Sequence, residues 1–401
     1  MKARMRAWAG RDVAVLFALL APLWSAQPSP AQESPRAPGT RSNEVQVVFQ
    51  TGHASSIGAV ALSADGRLIA SQGWDQTVRI WDVASGQELH TFNNIDRFVH
   101  LTFVGDTTRV LVGGTAATTA ILDGGTGRRG ATLAGEDASI AISAQGRFAA
   151  LRASSAAEID RRRAGSAAAI SVLDLTAGRE VASLPVDAAS QPLAISDDGR
   201  LVVVRRVVAD FKRMSRMLRE GKMPAPEIHN ELWDVSSGKH TPFNVEISIN
   251  AAGPPPVLSP DRKLLAATAS DSTITLYDVA TGQRRAQLPP DPSTEEPVVN
   301  SVVFSPDNRF IARGAYGSGV SVWSVANGAR VTHFEGTAVN FGPDSNTLVF
   351  GGINGGAPSL RDLTTGRETA LAGGASAILD LALVDDEREV VAATEAGSAR
   401  L

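Results

Sequence analysis

The sequence contains no cysteine. This absence excludes disulfide bonds and a lipid anchor attached through a cysteine, so packing and hydrogen bonds alone must hold the fold together. It also removes the thiolate ligands of most structural zinc sites, and six scattered histidines do not replace them. We therefore expect no bound metal ion and no cofactor.

Aromatic residues are also few, at 5% of the chain. The common catalytic motifs are missing as well: the sequence has no Gly-x-Ser-x-Gly elbow, no His-Glu-x-x-His pair and no EF-hand loop. A Gly-x-Gly-x-x-Gly pattern lies at 124–130, but the residues that follow it, ATLAGE, do not predict the helix that a dinucleotide-binding loop requires. These absences argue against cofactor-dependent chemistry.

The first 31 residues are typical of an export signal. A basic start is followed by an apolar run and then by small residues: Lys2, Arg4, Arg6 and Arg11, then VAVLFALLAPLW at 13–24, then Ala26 and Ala31. This order predicts a Sec-type signal peptide at 1–31 and a periplasmic or secreted protein, with an uncleaved anchor as the alternative. Residues 32–43 are rich in proline and serine and predict a flexible lead-in.

The formal net charge of the chain is −4. Loss of residues 1–31 removes four positive charges and one negative charge, so the mature chain has a charge of −7. A mildly acidic chain has no general attraction for phosphate backbones, and we expect no nucleic-acid partner.

A hairpin pattern recurs along the rest of the chain. It consists of an alternating apolar run, a polar turn and a second apolar run, and its clearest copy is AVALSADGRLIAS at 59–71. Related copies begin at residues 100, 139, 192, 255, 301, 338 and 380. Asp-Gly between two apolar runs is typical of a β-hairpin, because both residues tolerate the positive φ of tight turns.

A third short run follows the hairpins, as in VRIWDVASGQ at 78–87, and a fourth usually comes next, as in ELHTF at 88–92. Units of four short strands that repeat about every 40 residues are typical of propeller blades. The sequence therefore predicts an all-β fold, a single β-propeller of four-stranded blades over residues 44–401. The number of units favours eight blades, with seven as the alternative.

These units resemble the WD40 repeat family. The best copy spans residues 52–82, with Gly-His at 52–53 and Trp-Asp at 81–82, and a second Trp-Asp lies at 233–234. Looser copies lie at Tyr277-Asp278 and Trp323-Ser324, and three others have lost the tryptophan: Leu122-Asp123, Leu173-Asp174 and Arg361-Asp362. The resemblance implies a propeller and leaves the ligand open, because one fold hosts many unrelated functions.

The two ends of the propeller region suggest how the ring closes. The last unit lacks a fourth strand, and the run EVQVVFQ at 44–50 precedes the first unit without a blade of its own. We predict that this N-terminal strand completes the last blade, since closure removes exposed sheet edges.

The WD40 resemblance also implies that His53, Ser71, Asp75 and Trp81 form a buried hydrogen-bond network. The histidine can link the carboxylate to the hydroxyl, and the indole N–H can donate to the same hydroxyl. A histidine, a serine and an aspartate are also the residue types of a nucleophilic triad, but catalysis needs an accessible nucleophile and an oxyanion hole. We therefore assign the four residues a structural role and predict no catalytic residue.

Two neighbouring units carry insertions between their second and third strands, near 152–169 and 206–228. The hairpin glycine and the third-strand aspartate are 16 positions apart in the first unit, but 28 and 35 in the third and fourth. In WD40-like propellers this connection lies on the face where the chain enters each blade. Both insertions are therefore expected to rise side by side at one rim.

The insertions are basic. The second predicts a short amphipathic helix over 210–221, because Asp210 can cap its start and Gly221 its end, with Phe211 and Leu218 on one apolar stripe. The candidate partner-binding residues are the cations of both insertions: Arg161, Arg162, Arg163, Lys212, Arg213, Arg216 and Arg219. Either the helix packs on the propeller as a lid, or it contacts a partner or an anionic membrane surface.

Together these features predict a non-catalytic, monomeric scaffold of the bacterial cell envelope. It is expected to bind a protein or another envelope component through the face that carries the insertions. One alternative is a propeller enzyme, similar to lactonases or dehydrogenases, with a site over the central channel. The other is the sensing end of a larger multidomain protein.

Overall fold

A computed structural model of the chain describes residues 52–95, 100–114, 117–134, 139–152, 168–187, 189–208, 227–247, 254–269, 271–289, 298–371, 378–384, 389–394 and 399–400. All regular elements within these ranges are β-strands. None of the described residues belongs to a helix that is long and apolar enough to cross a membrane.

Seven four-stranded antiparallel sheets follow one another along the chain, and we number them as blades 1 to 7. Blade 1 contains β1 (Ile57–Leu62), β2 (Leu68–Gly73), β3 (Val78–Asp82) and β4 (Glu88–Phe92). Blade 2 contains β5 (His100–Phe103), β6 (Arg109–Gly114), β7 (Ala117–Asp123) and β8 (Arg128–Ala134). Blade 3 contains β9 (Ser139–Ile142), β10 (Phe148–Arg152), β11 (Ala169–Asp174) and β12 (Arg179–Pro185). Blade 4 contains β13 (Ser190–Ile195), β14 (Leu201–Val208), β15 (Glu227–Asp234) and β16 (Lys239–Pro242).

The remaining blades repeat this order. Blade 5 contains β17 (Val257–Leu258), β18 (Leu264–Thr268), β19 (Ile274–Asp278) and β20 (Arg284–Leu288). Blade 6 contains β21 (Val298–Phe304), β22 (Phe310–Tyr316), β23 (Gly319–Ser324) and β24 (Arg330–Phe334). Blade 7 contains β25 (Val339–Phe341), β26 (Thr347–Phe350), β27 (Ser359–Asp362) and β28 (Glu368–Ala370). A separate three-stranded sheet follows, with β29 (Ile378–Val384), β30 (Glu389–Thr394) and β31 (Ala399–Arg400).

The hairpin turn between the first two strands has the same form in most blades. In blade 1 the N–H of Ser63 donates to the carbonyl of Leu68, and the N–H of Gly66 donates back to the carbonyl of Ser63. Gly66 is left-handed, with φ +70°, and Arg262, Asn308 and Ser345 take the same conformation in blades 5, 6 and 7. The predicted hairpins are therefore present, and the left-handed residue is the one after the aspartate.

The hydrophobic core lies between the blades. It divides into seven clusters of buried side chains, and each cluster joins one pair of adjacent blades. One of them joins blade 7 to blade 1, through Ala338 and Val349 on one side and Ile57, Ile69 and Trp81 on the other. Each blade buries both faces in this way, so that no single blade is stable alone.

The ring has seven blades, and the expected eight is wrong. Blade 7 packs directly on blade 1: a Cβ placed on Gly351 would lie 2.5 Å from the Cβ of Ile57, a separation too short for a further sheet between them. The Thr337 hydroxyl also donates to the carbonyl of Ile57 at 2.5 Å. The sequence pattern at 378–400 forms β29–β31, which is not a blade of this ring. Residues 44–50, the predicted closing strand, lie outside the described residues.

The antiparallel order gives the ring two distinct faces. The connections between the second and third strands lie on one face, together with the points where the chain enters each blade, and we call it the insertion face. The turns of the first hairpins lie on the other, the hairpin face. Each blade presents equivalent connections to the same face because the blades are related by rotation about the ring axis.

Candidate functional site

The structure brings His53, Ser71, Asp75 and Trp81 together on the insertion side of blade 1. His53 Nδ1 lies 3.1 Å from a carboxylate oxygen of Asp75, and its Nε2 lies 2.7 Å from the Ser71 hydroxyl. The indole N–H of Trp81 donates to that same hydroxyl at 2.8 Å. These partners fix the histidine tautomer: Nδ1 donates to the carboxylate, and Nε2 accepts from the hydroxyl.

Each member of the network is placed by a different element. Ser71 lies on β2, Trp81 on β3 and Asp75 in the turn between them. His53 precedes β1 and is fixed through its backbone, because its N–H and carbonyl form a two-bond bridge with Gly356 of blade 7. The network therefore joins three parts of blade 1 and also lies at the junction where blade 7 closes the ring.

The Asp75 carboxylate is the centre of this network. Besides His53, it accepts hydrogen bonds from the N–H of Ala54 at 2.9 Å and from the Thr77 hydroxyl at 2.8 Å. Burial would raise the pKa of Asp75, but the hydrogen bond from His53, together with the other donors, holds that pKa far below its ordinary value. The Asp75 carboxylate is therefore held in its ionised form near neutral pH.

Sequence reasoning missed the charged continuation of the network. Arg79 on β3 is buried, lies 3.9 Å from an Asp75 oxygen and forms an ion pair with Glu88 on β4. Thr77 connects the two halves, because its hydroxyl contacts both Asp75 and the Arg79 side chain. An arginine two residues before the Trp-Asp pair was the available signal, since side chains two apart on a strand share one face.

The serine of this network is unsuited to nucleophilic attack. Ser71, His53 and Trp81 all have 0% exposed surface, and the Ser71 oxygen is already engaged by the indole N–H. An acyl substrate has no path to that oxygen in this arrangement. The side chains of this network therefore hold the strands and turns of the blade together.

Blade 6 replaces the network with a buried arginine. Arg313 on β22 occupies the position of Ser71 and has 0% exposed surface. Its guanidinium donates to the carbonyl of Ser272 in blade 5 and to the Ser318 hydroxyl, and it lies over the ring of Trp323. A cation here joins blade 6 to blade 5, whereas the His53 network joins blade 1 to blade 7.

The two insertions begin from the insertion face of blades 3 and 4. The first connects β10 to β11, and the second connects β14 to β15. Strands β14 and β15 have eight residues each and stay paired up to Val208 and Glu227, so strand residues lie within both ends of the range 206–228. This stem extends beyond the ends of the matching strands in the other blades.

The predicted partner-binding cations lie outside the described residues. This applies to Arg161, Arg162, Arg163, Lys212, Arg213, Arg216 and Arg219, and to the predicted helix at 210–221. Arginines are nevertheless present where the insertions begin. Arg152 donates to the carbonyl of Ser190 in the next blade, and Arg205 donates to the carbonyl of Ile247.

Among the residues that the structure describes, no three histidine, aspartate or glutamate side chains lie close enough together to hold a metal ion.

Two parts of the chain match a known family. Residues 44–82 and 291–324 match the family model WD domain, G-beta repeat. They contain the first three strands of blades 1 and 6, and the third strands carry Trp81 and Trp323. No curated protein matches the chain.

Proposed function

Because the chain is a β-propeller with WD40 repeats, a fold that generally serves as a scaffold for protein interactions, we propose that it is a non-catalytic binding protein of the bacterial cell envelope. It acts as a monomer and contacts a protein or another envelope component through the insertion face of blades 3 and 4. The observation that carries this proposal is the pair of insertions on the same connection of two adjacent blades.

The long stem of blade 4 supports this assignment. A connection that only joins two strands needs a short turn, as between β2 and β3 of blade 1. Blades 3 and 4 instead extend their chain on the side that faces solvent, and loops held on a rigid scaffold are common binding elements.

The charge of the insertions indicates the kind of surface that they contact. The sequence places three arginines in the first insertion and four cations at 212–219 in the second, on a chain whose net charge is negative. Arg152 and Arg205 add two cations where the insertions begin. An acidic protein surface or an anionic membrane surface complements this half of the face.

Export is the first testable part of the proposal. If residues 1–31 are a cleaved signal peptide, the mature protein in a periplasmic fraction begins near Gln27 or Gln32. Edman sequencing or mass spectrometry of the N-terminal peptide measures this directly. An intact Met1 on cytoplasmic protein would contradict the envelope assignment.

A charge reversal tests the binding surface. We expect Lys212→Glu, Arg213→Glu, Arg216→Glu and Arg219→Glu together to abolish capture of the partner from envelope extract, because like charges then face each other. Stability changes by only about 0.5 kcal/mol per exposed site. Capture by the unaltered protein weakens with added salt, since exposed charges are screened over about 10 Å at 0.1 M.

The matched control reverses an equal number of cations on the opposite face, four arginines that are exposed in the hairpin turns: Arg67, Arg147, Arg200 and Arg309. It changes the net charge equally and leaves capture intact. A protein that loses capture in both variants responds to total charge, and that result would reject the insertion face. Flotation with phosphatidylglycerol and with phosphatidylcholine vesicles separates a lipid surface from a protein.

The lid alternative is distinguished by the apolar stripe. Phe211→Ser with Leu218→Ser lowers the melting temperature if the helix packs on its own propeller. If the stripe enters a membrane, the same change leaves folding intact and abolishes vesicle binding. Replacement of residues 209–226 by a short glycine linker preserves β14 and β15 and serves as the reference for complete loss of the segment.

A further inference from the structure

The sequence contains two Asn-Gly pairs, Asn327-Gly328 and Asn354-Gly355. In such a pair the backbone nitrogen of the glycine can attack the side-chain amide of the asparagine, because glycine has no Cβ to hinder the approach. The first pair lies in the turn between β23 and β24, and the second lies in the connection between β26 and β27, on the insertion face. The two pairs have the same chemistry, so their surroundings decide which of them can react.

Both reacting groups of the first pair are held by hydrogen bonds. The carboxamide oxygen of Asn327 accepts from the N–H of Ala329 at 3.0 Å, and the N–H of Gly328 donates to the carbonyl of Ser324 at 2.8 Å. The attack would have to break the bond that holds the carboxamide and also the bond that holds the nitrogen. The folded turn therefore opposes the reaction at Asn327.

The second pair is not restrained in this way. Asn354 is exposed, and its carboxamide forms no hydrogen bond with any other residue that the structure describes. The carbonyl that a tight turn would offer to the Gly355 N–H, that of Gly352, accepts from the N–H of Ile57 in blade 1 at 3.2 Å. The Asn354 side chain is therefore able to rotate toward the nitrogen that attacks it.

The glycines after Asn354 form part of the junction between blades 7 and 1. The N–H of Gly356 donates to the carbonyl of His53 at 2.7 Å, and the N–H of His53 donates back to the carbonyl of Gly356 at 2.9 Å. The two backbones touch, since a Cβ on Gly355 would lie 2.3 Å from the His53 carbonyl oxygen. A Cβ on Gly52 would lie equally close, 2.3 Å, to the carbonyl carbon of Gly356. A change in the length of this main chain would therefore displace the bridge to His53.

We propose that Asn354 is a site of spontaneous deamidation, and that the isoaspartate which it forms loosens the junction between blades 7 and 1. The Gly355 nitrogen loses its proton to solvent base and bonds to the Asn354 Cγ. The Cγ–Nδ2 bond breaks, and Nδ2 takes a proton from water and leaves as ammonia. Water then opens the cyclic imide at either carbonyl carbon, which gives aspartate or isoaspartate. The modification needs no enzyme and no partner, so it is independent of the proposed binding function.

The two products differ in what they do to the loop. Aspartate adds a negative charge at an exposed position and leaves the main chain unchanged. Isoaspartate carries the same charge, but its main chain runs through the side-chain carbonyl and is one methylene longer, immediately before Gly355. Since the backbones at 52–53 and 355–356 are already in contact, the extra methylene moves Gly356 away from His53.

Timed incubation of the folded full-length protein in mildly alkaline buffer tests the site. Trypsin digestion at mildly acidic pH separates the two pairs, because peptide 314–330 contains Asn327 and peptide 331–361 contains Asn354. Mass spectrometry with electron-transfer fragmentation then distinguishes isoaspartate from aspartate. We expect isoaspartate to form about tenfold faster at 354 than at 327, since the reaction at Asn327 must first break hydrogen bonds.

The same incubation in guanidinium chloride is the control for the role of the fold. Unfolding removes the turn that restrains Asn327, so the rates at the two pairs should become similar. If Asn354 is faster by the same factor in the unfolded chain, the local sequence selects the site and the inference fails. Equal rates in the folded protein, or no isoaspartate at 354, would also overturn it.

Thermal unfolding measures the effect on the junction. Protein aged until most of Asn354 has reacted should melt at a lower temperature than fresh protein. Fresh Asn354→Asp, which carries the charge on an unchanged main chain, should melt at the original temperature. Asn354→Gln, which cannot readily close the same imide ring, should keep its melting temperature on ageing. Aged protein that contains isoaspartate at 354 and melts unchanged would contradict the loosening of the junction, and so would an equal loss of stability in aged Asn354→Gln.

Discussion

Asp75→Ala is expected to lower the free energy of unfolding by about 3 kcal/mol, because it removes one partner from a buried network that contains charges. The carboxylate accepts hydrogen bonds from His53, Ala54 and Thr77 and faces the buried Arg79. His53, Ala54 and Thr77 lose this shared acceptor, Arg79 loses a nearby negative charge, and alanine cannot replace any of the bonds. Urea unfolding followed by tryptophan fluorescence measures the loss.

The chain offers a matched control for this change. Asp271 occupies the same turn position in blade 5, but it is exposed, and its carboxylate accepts from the Thr273 N–H without a histidine network. Asp271→Ala is expected to cost less than about 1 kcal/mol. If both variants lose the same free energy of unfolding, the stability comes from the turn that both aspartates occupy and not from the His53 network.

The pH dependence gives an independent test of the same interaction. The pKa of Asp75 is depressed in the folded protein, so the stability that it contributes is fully present above the aspartate pKa of the unfolded chain, about 3.9, and is lost as the pH falls toward the lower folded value. The difference in unfolding free energy between the unaltered protein and Asp75→Ala should therefore be constant near neutrality and shrink below about pH 4. A difference that grows in acid would contradict this ionisation state.

Ile57→Ala is expected to cost about 3 kcal/mol, because it opens a cavity in the core between blades 7 and 1. Ile57 has 0% exposed surface, and Gly351 approaches it closely from blade 7. Its N–H donates to the carbonyl of Gly352, and this bond survives the substitution, so the effect isolates the side chain. Thermal unfolding of the variant should remain a single transition at a lower temperature.

Two further variants accompany Ile57→Ala: one is a surface control for its loss of stability, and the other tests where the ring closes. Val181→Ala removes methyl groups from an exposed side chain on β12 and should leave stability within about 0.5 kcal/mol of its original value. A chain that ends at Leu371 retains all seven blades and should unfold at nearly the same temperature as the full chain. Loss of cooperative unfolding in that shortened chain would mean that β29–β31 belong to the ring after all.

Much of the fold follows from local sequence. The alternation in AVALSADGRLIAS forms β1 and β2 because side chains alternate across a strand and the polar turn residues favour a hairpin. The Trp-Asp pair at 81–82 also identifies the end of β3. The relation between His53, Ser71, Asp75 and Trp81 could be inferred because it lies within one repeat.

Other features could not be read from the repeats. Trp74 and Tyr316 are 242 positions apart and meet only because the ring brings blade 1 and blade 6 to either side of blade 7. The Arg79–Glu88 pair required the alignment of β3 with β4, which a bulge at Ile80/Trp81 shifts. The first contact leaves no pattern in the order of residues. For the second, the position of Arg79 before the Trp-Asp pair signals the arginine but not its partner Glu88.

The sequence by itself determined that this chain is built from repeated four-stranded units, and it also determined where the hairpins lie. It identified which connections are lengthened and which blade carries the His53 network. Each of these features depends on residues that are close together in the chain. Only the tertiary structure decided the number of blades in the ring and what lies at the junction. Repeats can be counted in a sequence, but the angle between neighbouring blades is set by side chains packed between them. Here the glycine at 351 and the isoleucine at 57 let the seventh blade meet the first, so the ring closes before β29–β31 are reached.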